Sequence, residues 1–356
     1  MAIQIGKKRI SVDTKPYFIA DIAANHDGDI ERAYKLIELA KEAGADAAKF
    51  QNFKASTIVS KNGFENLGKQ LSHQASWKKS VYEVYEEASI ADEWTKLLKD
   101  KCDEVGIEYM TSPYDFAAVD MVENYLNAYK IGSGDITWIE MLEYISKKGK
   151  PVLLATGAAD ITDVDRAVKA IKKYNSQIVL MQCNTNYTAS EENFKYINLN
   201  VINTYKERYP NCIIGLSDHT FGHTTVLGAI ALGARVIEKH FTDDNNRIGP
   251  DHKFSMNPKT WREMVQASEH LFDALGDGIK RVENNEKESI IVQQRSLYAT
   301  KDLEKNHIIT KEDIIALRPI RENAIPPYEQ NKIVGRKLKN SIKKDKYFKW
   351  EDIDHD

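Results

Sequence analysis

Cysteine is scarce in this chain of 356 residues: Cys102, Cys183 and Cys212 are odd in number and far apart. That excludes a disulfide framework or a closely spaced zinc ribbon and fits reduced thiols in a cytosolic protein. A surplus of charge is missing as well, with 50 Lys and Arg against 53 Asp and Glu for a net charge of −3. No overall field draws such a chain to nucleic acid. No run approaches the roughly 18 apolar residues of a spanning helix, and the opening MAIQIGKKRISV has no apolar signal region. The expectation is a cytoplasmic protein with a small-molecule task and no nucleic-acid or membrane partner. Its apolar fraction of 42% suffices for a buried core, and its length exceeds one typical domain, so one large and one small domain are expected.

What is present is a repeated rhythm of short apolar runs, each followed by polar or glycine residues and most by an amphipathic stretch. YFIADIA, ADAAKFQ, IEYMTS and AYKIGS fill the first half; PVLLATG, IVLMQCN, CIIGLSD and ARVIEKHF follow in the second. Eight βα units of this kind predict a closed (β/α)8 barrel. In the first helix Asp29 is the cap, Ile30, Ala33, Leu36, Ile37, Ala40 and Ala43 form one apolar stripe, and Gly44 ends it. The long interval between the second and third strands, containing SHQASWKKSVYEVYEEASI, reads as a partial lid. IQIGKKRISV alternates around Gly6 and predicts a hairpin plugging the bottom of the barrel. NPKTWREMVQASEHLFDALG is the closing helix, and the charged run after it is the linker. The expected boundaries are 1–282 for the barrel, 283–294 for the linker and 295–356 for a small domain of short strands and turns, with Thr310 capping a brief helix.

Reactive groups of such a barrel lie at the C-terminal ends of the strands. Those ends carry Asp21 with Asn25 and His26, Lys49 with Gln51, Ser112, Lys130 with Ser133, Thr156, Thr185, Ser217 with His219, and Glu238 with His240. Two lysines ringed by hydroxyl and amide donors suit a small polyanion bearing phosphate and carboxylate, as phosphoenolpyruvate does. The plainer alternative is that Lys49 and Lys130 only snorkel from the rim; both follow apolar strand residues, which favours the ligand role. His219 and His240 end adjacent strands, so two imidazoles can converge on one divalent ion, Mn²⁺ or Mg²⁺, with open positions left for water and substrate. A single barrel histidine would more often be a hydrogen-bonded structural residue. Glu238 shares a side of its strand with His240. It either completes that shell, anchors a sugar hydroxyl, or pairs with Lys49 or Lys130.

The segments IADIAANHDGD, AAKFQNF, TSPYD, YKIGSGD, GLSDHT, EKHFTDD and GPDHKFSMNP, in this order, resemble the sialic acid synthase family, whose members make N-acetylneuraminate, legionaminate or pseudaminate. Residues 295 to 354 resemble the SAF (antifreeze-like, β-clip) domain that follows the TIM barrel in that family. The resemblance implies a transferase that condenses phosphoenolpyruvate with the open-chain aldehyde of N-acetylmannosamine or a related amino sugar, with C–O cleavage, release of phosphate and formation of a nine-carbon 2-keto acid. It implies catalytic roles for Asp21, Lys49, Lys130, His219 and His240. Lys49, Lys130, Ser133 and Ser217 would hold phosphoenolpyruvate, with Ser112 and Thr185 as further anion contacts. Gln51, Asp135, Tyr187 and Asp251 resemble the sugar-facing set, with Glu238 among the substrate contacts. Arg318, in ALRPI, matches the SAF arginine that reaches a neighbouring subunit's barrel, so a domain-swapped homodimer is implied.

Three positions depart from that family's pattern: Asp21 stands where a glutamate is common, Ala155 where many relatives have a serine, and Thr185, preceded by Asn184, where an asparagine is common. Because Asp21 and Ala155 alter polarity near the acceptor, a diacetamido-trideoxy hexose is at least as well supported as N-acetylmannosamine. Two other readings compete. A 3-deoxy sugar-phosphate synthase would need a second basic site; the strand ends show no further Lys or Arg cluster, and Arg247 and Lys253 after strand eight serve only if their loop folds inward. A non-enzymatic carbohydrate-binding SAF protein would leave the polar strand ends unexplained.

Overall fold

Each of the eight apolar runs forms a strand: Tyr17–Asp21, Ala47–Asn52, Glu108–Pro113, Tyr129–Ile131, Val152–Ala155, Ile178–Cys183, Ile213–Asp218 and Val236–His240. The computed structural model describes residues 1–354, the side chains of Ser72 and Ser76 excepted. The strands run parallel in the order third, second, first, eighth, seventh, sixth, fifth, fourth, and the third and fourth lie side by side, closing a (β/α)8 barrel. Successive residues of a strand point to opposite faces, which explains what each strand presents. In the second strand Ala48 and Phe50 join the outer core beneath the helices, while Ala47 faces the interior. Lys49 and Gln51 continue the interior row to the barrel mouth.

The hairpin expected at the start is present, Ala2–Ile5 pairing antiparallel with Lys8–Ser11, with Gly6 at φ +54 making the turn that a side chain would strain. Its Ile3, Ile5 and Ile10 pack with Tyr17, Met110 and Leu153 in the interior, so the hairpin seals the end opposite the mouth. Each such burial contributes roughly 1.5–3 kcal/mol. The first helix, Ile30–Glu42, is capped by Asp29, whose carboxylate accepts from the amides of Glu31 and Arg32, and it buries Ala33, Leu36, Ile37 and Ala40. The closing helix, Pro258–Leu275, starts at Asn257 and buries Trp261 edge-on against Phe241 at 5.5 Å.

The chain divides into two units, Met1–Gly276 and Asp277–Asp356. The run 283–294, expected as a linker, holds a short turn at Asn284–Glu286 and a helix at Lys287–Gln293, both within the second unit. That unit pairs strands Ser296–Ala299 and Ile314–Leu317 antiparallel around a core that includes Leu297, Ile309, Leu338 and Phe348. Thr310 precedes a single turn, Lys311–Asp313, and its hydroxyl donates to the Asp313 carboxylate at 3.0 Å. No helix among the described residues is long and apolar enough to cross a membrane.

Candidate active site

The barrel mouth opens into a cavity of about 180 Å³, lined by polar groups that include Asp21, Lys49, Lys130, Ser112, His219 and His240. Sheet register decides who meets whom at its floor. Asp21 is opposite Lys49 on one side and His240 on the other, Gln51 is opposite Ser112, and Ser217 is opposite Glu238. Lys49 and Lys130 are both buried, and each is held by a carboxylate: Lys49 Nζ lies 2.7 Å from Asp21 and Lys130 Nζ 3.0 Å from Glu238. The ion-pair reading of Glu238 is therefore realised with Lys130, and Ser217 Oγ also donates to it at 3.1 Å. Gln51 donates to Asp21 at 3.4 Å.

Electrostatics of the floor follow from burial and these pairings. Burial works against the charge of Glu238, and Lys130 with Lys49 more than offsets it, holding the carboxyl down at about 2. Burial is the stronger influence at Asp21, raising its carboxyl above the usual value despite Lys49. Burial also lifts Asp251 to about 7. A buried site with two cations and two counter-carboxylates still contains unmet groups. Among the described residues Ser112 Oγ, Glu238 Oε2 and His240 Nδ1 find no hydrogen-bond partner, and unmet buried polar atoms of this kind mark places where a ligand or water belongs.

His219 and His240 face each other across the seam of strands seven and eight, ring centroids 5.4 Å apart. His219 Nδ1 is 2.8 Å from the carbonyl oxygen of Asn184, a contact that requires Nδ1–H as donor and leaves Nε2 as the free lone pair. Burial drives both imidazoles down to about 3, so both are neutral, which is the ligating form. Two neutral rings, one with an unpartnered nitrogen, fit a divalent cation with open positions. Among the described residues no group of three or more His, Cys, Asp or Glu side chains is arranged to hold a metal ion, so a cation here would take most of its shell from water and substrate.

The other expected residues are distributed as follows. Ser112, Ser133, Tyr187, Ser217 and Asp251 line the cavity. Ser133 Oγ is fixed by the amide of Gly157 at 2.9 Å, a close approach at which any Cβ would strike the Thr185 methyl at 2.4 Å. Tyr187 stands at 4.1 Å from the His219 ring and 5.3 Å from Phe254. Asp251 accepts from the Ala24 amide at 3.2 Å. Asp135 lies in the turn after the fourth strand, outside the cavity lining, yet its charge adds to the rise that burial causes in Tyr85 and Tyr114, which do line it. Thr185 lies with Thr156 and Asn184 along a separate depression. Thr156 faces outward, its hydroxyl bonded to the Met181 carbonyl and to Tyr205, and Ala155 takes the inward place. Arg318 is an exposed residue of the second unit. Arg247 is tied to Asp27 at 2.7 Å and Lys253 is exposed; neither lines the cavity.

Sequence reasoning missed the upper wall. Phe53, Trp77, Val84, Tyr85 and Tyr114 line the cavity, most of them from the interval taken as a lid. The amphipathic run VYEVYEEA was the available signal, since its apolar face had to cover something.

These features define a (β/α)8-barrel enzyme with a small C-terminal β domain. The NeuB family matches residues 36–280 and the SAF domain residues 294–354. The N,N'-diacetyllegionaminic acid synthase of Legionella pneumophila is 34% identical over 344 residues, covering 95% of this chain and 94% of that protein. The pseudaminic acid synthase of Campylobacter jejuni is 32% identical, with coverage of 96% and 97%. The crystal structure of N-acetylneuraminic acid (sialic acid) synthetase from Leptospira borgpetersenii superposes with a TM-score of 0.71 at 30% identity, covering 82% of this chain and 95% of that one. The chain belongs to the NeuB family and is an enzyme of the sialic-acid-like, nonulosonic, acid synthase class.

Proposed function

We propose that the chain condenses phosphoenolpyruvate with the open-chain aldehyde of an N-acetylmannosamine-type amino sugar. The observation that carries this reading is the pair of buried lysines on the cavity floor, surrounded by serine hydroxyls of which one, Ser112, has no partner. A polyanion of phosphate and carboxylate matches that floor. The enol carbon C3 attacks the aldehyde carbon to form the new C–C bond, and water adds at C2. The C2–O bond to phosphate then breaks, its electron pair leaving with phosphate as the C2 hydroxyl becomes the ketone; one proton of the water ends on the hydroxyl made from the aldehyde oxygen and the other on the released phosphate. Lys49, Lys130, Ser112, Ser133 and Ser217 bind the anion. Asp21, between Lys49, Gln51 and His240, holds the proton of the attacking water. His219 and His240 would hold a divalent cation, Mn²⁺ or Mg²⁺, which when bound would supply Lewis-acid polarisation of the acceptor carbonyl. Holding both reactants aligned on one rigid floor supplies much of the remaining acceleration.

The acceptor lies against Gln51, Tyr187 and Asp251, with Asp135 near the mouth. A diacetamido-trideoxy hexose stands level with N-acetylmannosamine as acceptor, supported by relatives that make legionaminic and pseudaminic acids. A phosphorylated aldose lacks support, because Arg247 is engaged by Asp27 and Lys253 is not in the lining. The test is phosphate release from phosphoenolpyruvate with Mn²⁺, comparing these three acceptors with none. Release that depends on an amino sugar identifies the acceptor; release with the phosphorylated aldose alone sinks the assignment.

Two subsidiary results are expected. Burial holds the Asp135 carboxyl up at about 6, so kcat/KM for the sugar should fall as pH drops below that point, where the carboxylate loses its charge. Asp135→Asn should erase that inflection, and an unchanged profile would remove Asp135 from the sugar set. Arg318→Ala should raise KM for the sugar by about tenfold or more and leave KM for phosphoenolpyruvate nearly unchanged, since an arginine arriving from a partner's SAF domain touches the acceptor and not the enol. That placement requires the swapped homodimer. A monomer by light scattering, or equal effects on both substrates, contradicts it.

A further inference from the structure

Positions of strands seven and eight that face the helices should be apolar, and Ile214, Leu216, Ile237 and Phe241 are, all belonging to the outer core. Asp218 and Lys239 break that row. They are register partners on the two strands, 3% and 1% exposed, and they form an ion pair with each other. Asp218 Oδ2 also accepts from Thr225 at 2.7 Å and Thr220 at 2.8 Å, while Lys239 Nζ donates to the Thr220 carbonyl at 2.7 Å. None of the four lines the cavity.

Replacing a buried ion pair by apolar residues is often neutral or stabilising, so stability alone does not account for charges in this row. A fully satisfied buried network does, however, restrict its surroundings to one arrangement. Its members flank the two imidazoles. Asp218 and Thr220 bracket His219, Lys239 precedes His240, and Thr225 lies in the first turn of the helix Thr224–Ala231 packed behind them. His219 is thus held on both sides along the chain, and its ring is held by the Asn184 carbonyl.

We infer that the buried Asp218–Lys239–Thr220–Thr225 cluster is a positioning clamp that sets the separation of His219 and His240 and thereby the divalent-cation affinity of the cavity. This rests on the proposed cation site at those two histidines. The clamp touches neither substrate nor metal; it acts through the strand ends.

Titration of Mn²⁺ into the full chain, with free ion read by electron paramagnetic resonance, reports binding independently of turnover. Thr225→Val removes one hydrogen bond at nearly constant shape and leaves the ion pair; Asp218→Asn removes the charge. Outer-shell partners typically govern metal affinity by 10–100-fold, so Thr225→Val should weaken Mn²⁺ about tenfold, Asp218→Asn up to about a hundredfold, and Thr225→Ser should restore it to within about twofold. Phosphoenolpyruvate affinity measured without metal should change less than about threefold in Thr225→Val, because the lysine floor is untouched. Circular dichroism establishes that each sample is folded at the titration temperature. Folded Thr225→Val and Asp218→Asn proteins that bind Mn²⁺ like the parent would overturn the clamp and leave the histidine site standing. Mn²⁺ binding by the parent that His219→Ala and His240→Ala both leave unchanged would overturn the cation site and the clamp with it.

Discussion

Replacing His240 with alanine should abolish metal-dependent turnover while the barrel stays folded. His219 and His240 are the two imidazoles that would hold the proposed cation, so loss of one would remove half of the protein groups available to it. Lewis-acid polarisation is worth several kcal/mol, and about 4 kcal/mol corresponds to roughly a thousandfold in rate. The fold should tolerate the change because His240 faces the cavity and its Nδ1 has no hydrogen-bond partner, so truncation abandons no bond there and opens space onto an existing void. His219→Ala should lose turnover similarly, with one difference: it frees the Asn184 carbonyl that its ring now occupies. Activity with excess Mn²⁺ within about tenfold of the parent in either folded variant, where roughly a thousandfold is expected, would remove the metal assignment.

Lys49→Met should be costly in two separable ways. On the proposed reading phosphoenolpyruvate would lose one of its two floor cations, and a charge-assisted contact to a buried anion is among the stronger polar interactions; a drop of roughly a thousandfold in kcat/KM for the enol substrate is expected from about 4 kcal/mol of lost transition-state binding. Stability also suffers, because Asp21 is left in the floor with its partner gone. Breaking one side of a buried pair costs about 3 kcal/mol or more, and Asp21, 2% exposed, keeps Gln51 and the Ala23 amide as its donors among the described residues. The double variant Asp21→Asn with Lys49→Met removes the stranded charge. It should recover most of the stability in urea denaturation and none of the turnover. If the single variant is as stable as the parent, the Lys49–Asp21 pair is not the structural element described above; if it keeps turnover within an order of magnitude, Lys49 does not bind the enol.

The two predictions draw on different kinds of knowledge. Strand positions were legible because apolar runs of this length, punctuated by glycine and polar residues, have few other uses, and all eight form strands where the runs lie. The alternation of side chains then placed Lys49 and Gln51, or Glu238 and His240, on one face of their strands without any tertiary information. Asp29 as a cap and Gly44 as a stop were legible for the same local reason. The SAF-domain segment was legible as a change of pattern after the closing helix.

Partnerships across the barrel were not legible. That Lys49 takes Asp21 while Lys130 takes Glu238 depends on which residues barrel closure sets at one height, and register between strands far apart in sequence leaves no local trace. The aromatic wall of Phe53, Tyr85 and Tyr114 depends on how a long interval folds back over the mouth. Thr185 was placed at a strand end by sequence, and only the path of the backbone after Cys183 put it along a neighbouring depression. Asp218 and Lys239 were not singled out in the sequence, and only packing shows them buried against each other on adjacent strands. The sequence by itself determined the strands, the helices and the inventory of groups at the mouth, because periodicity and capping are local. Tertiary structure alone decided the ion pairs, the orientation of His219 and the lid wall, because those follow from closing the sheet.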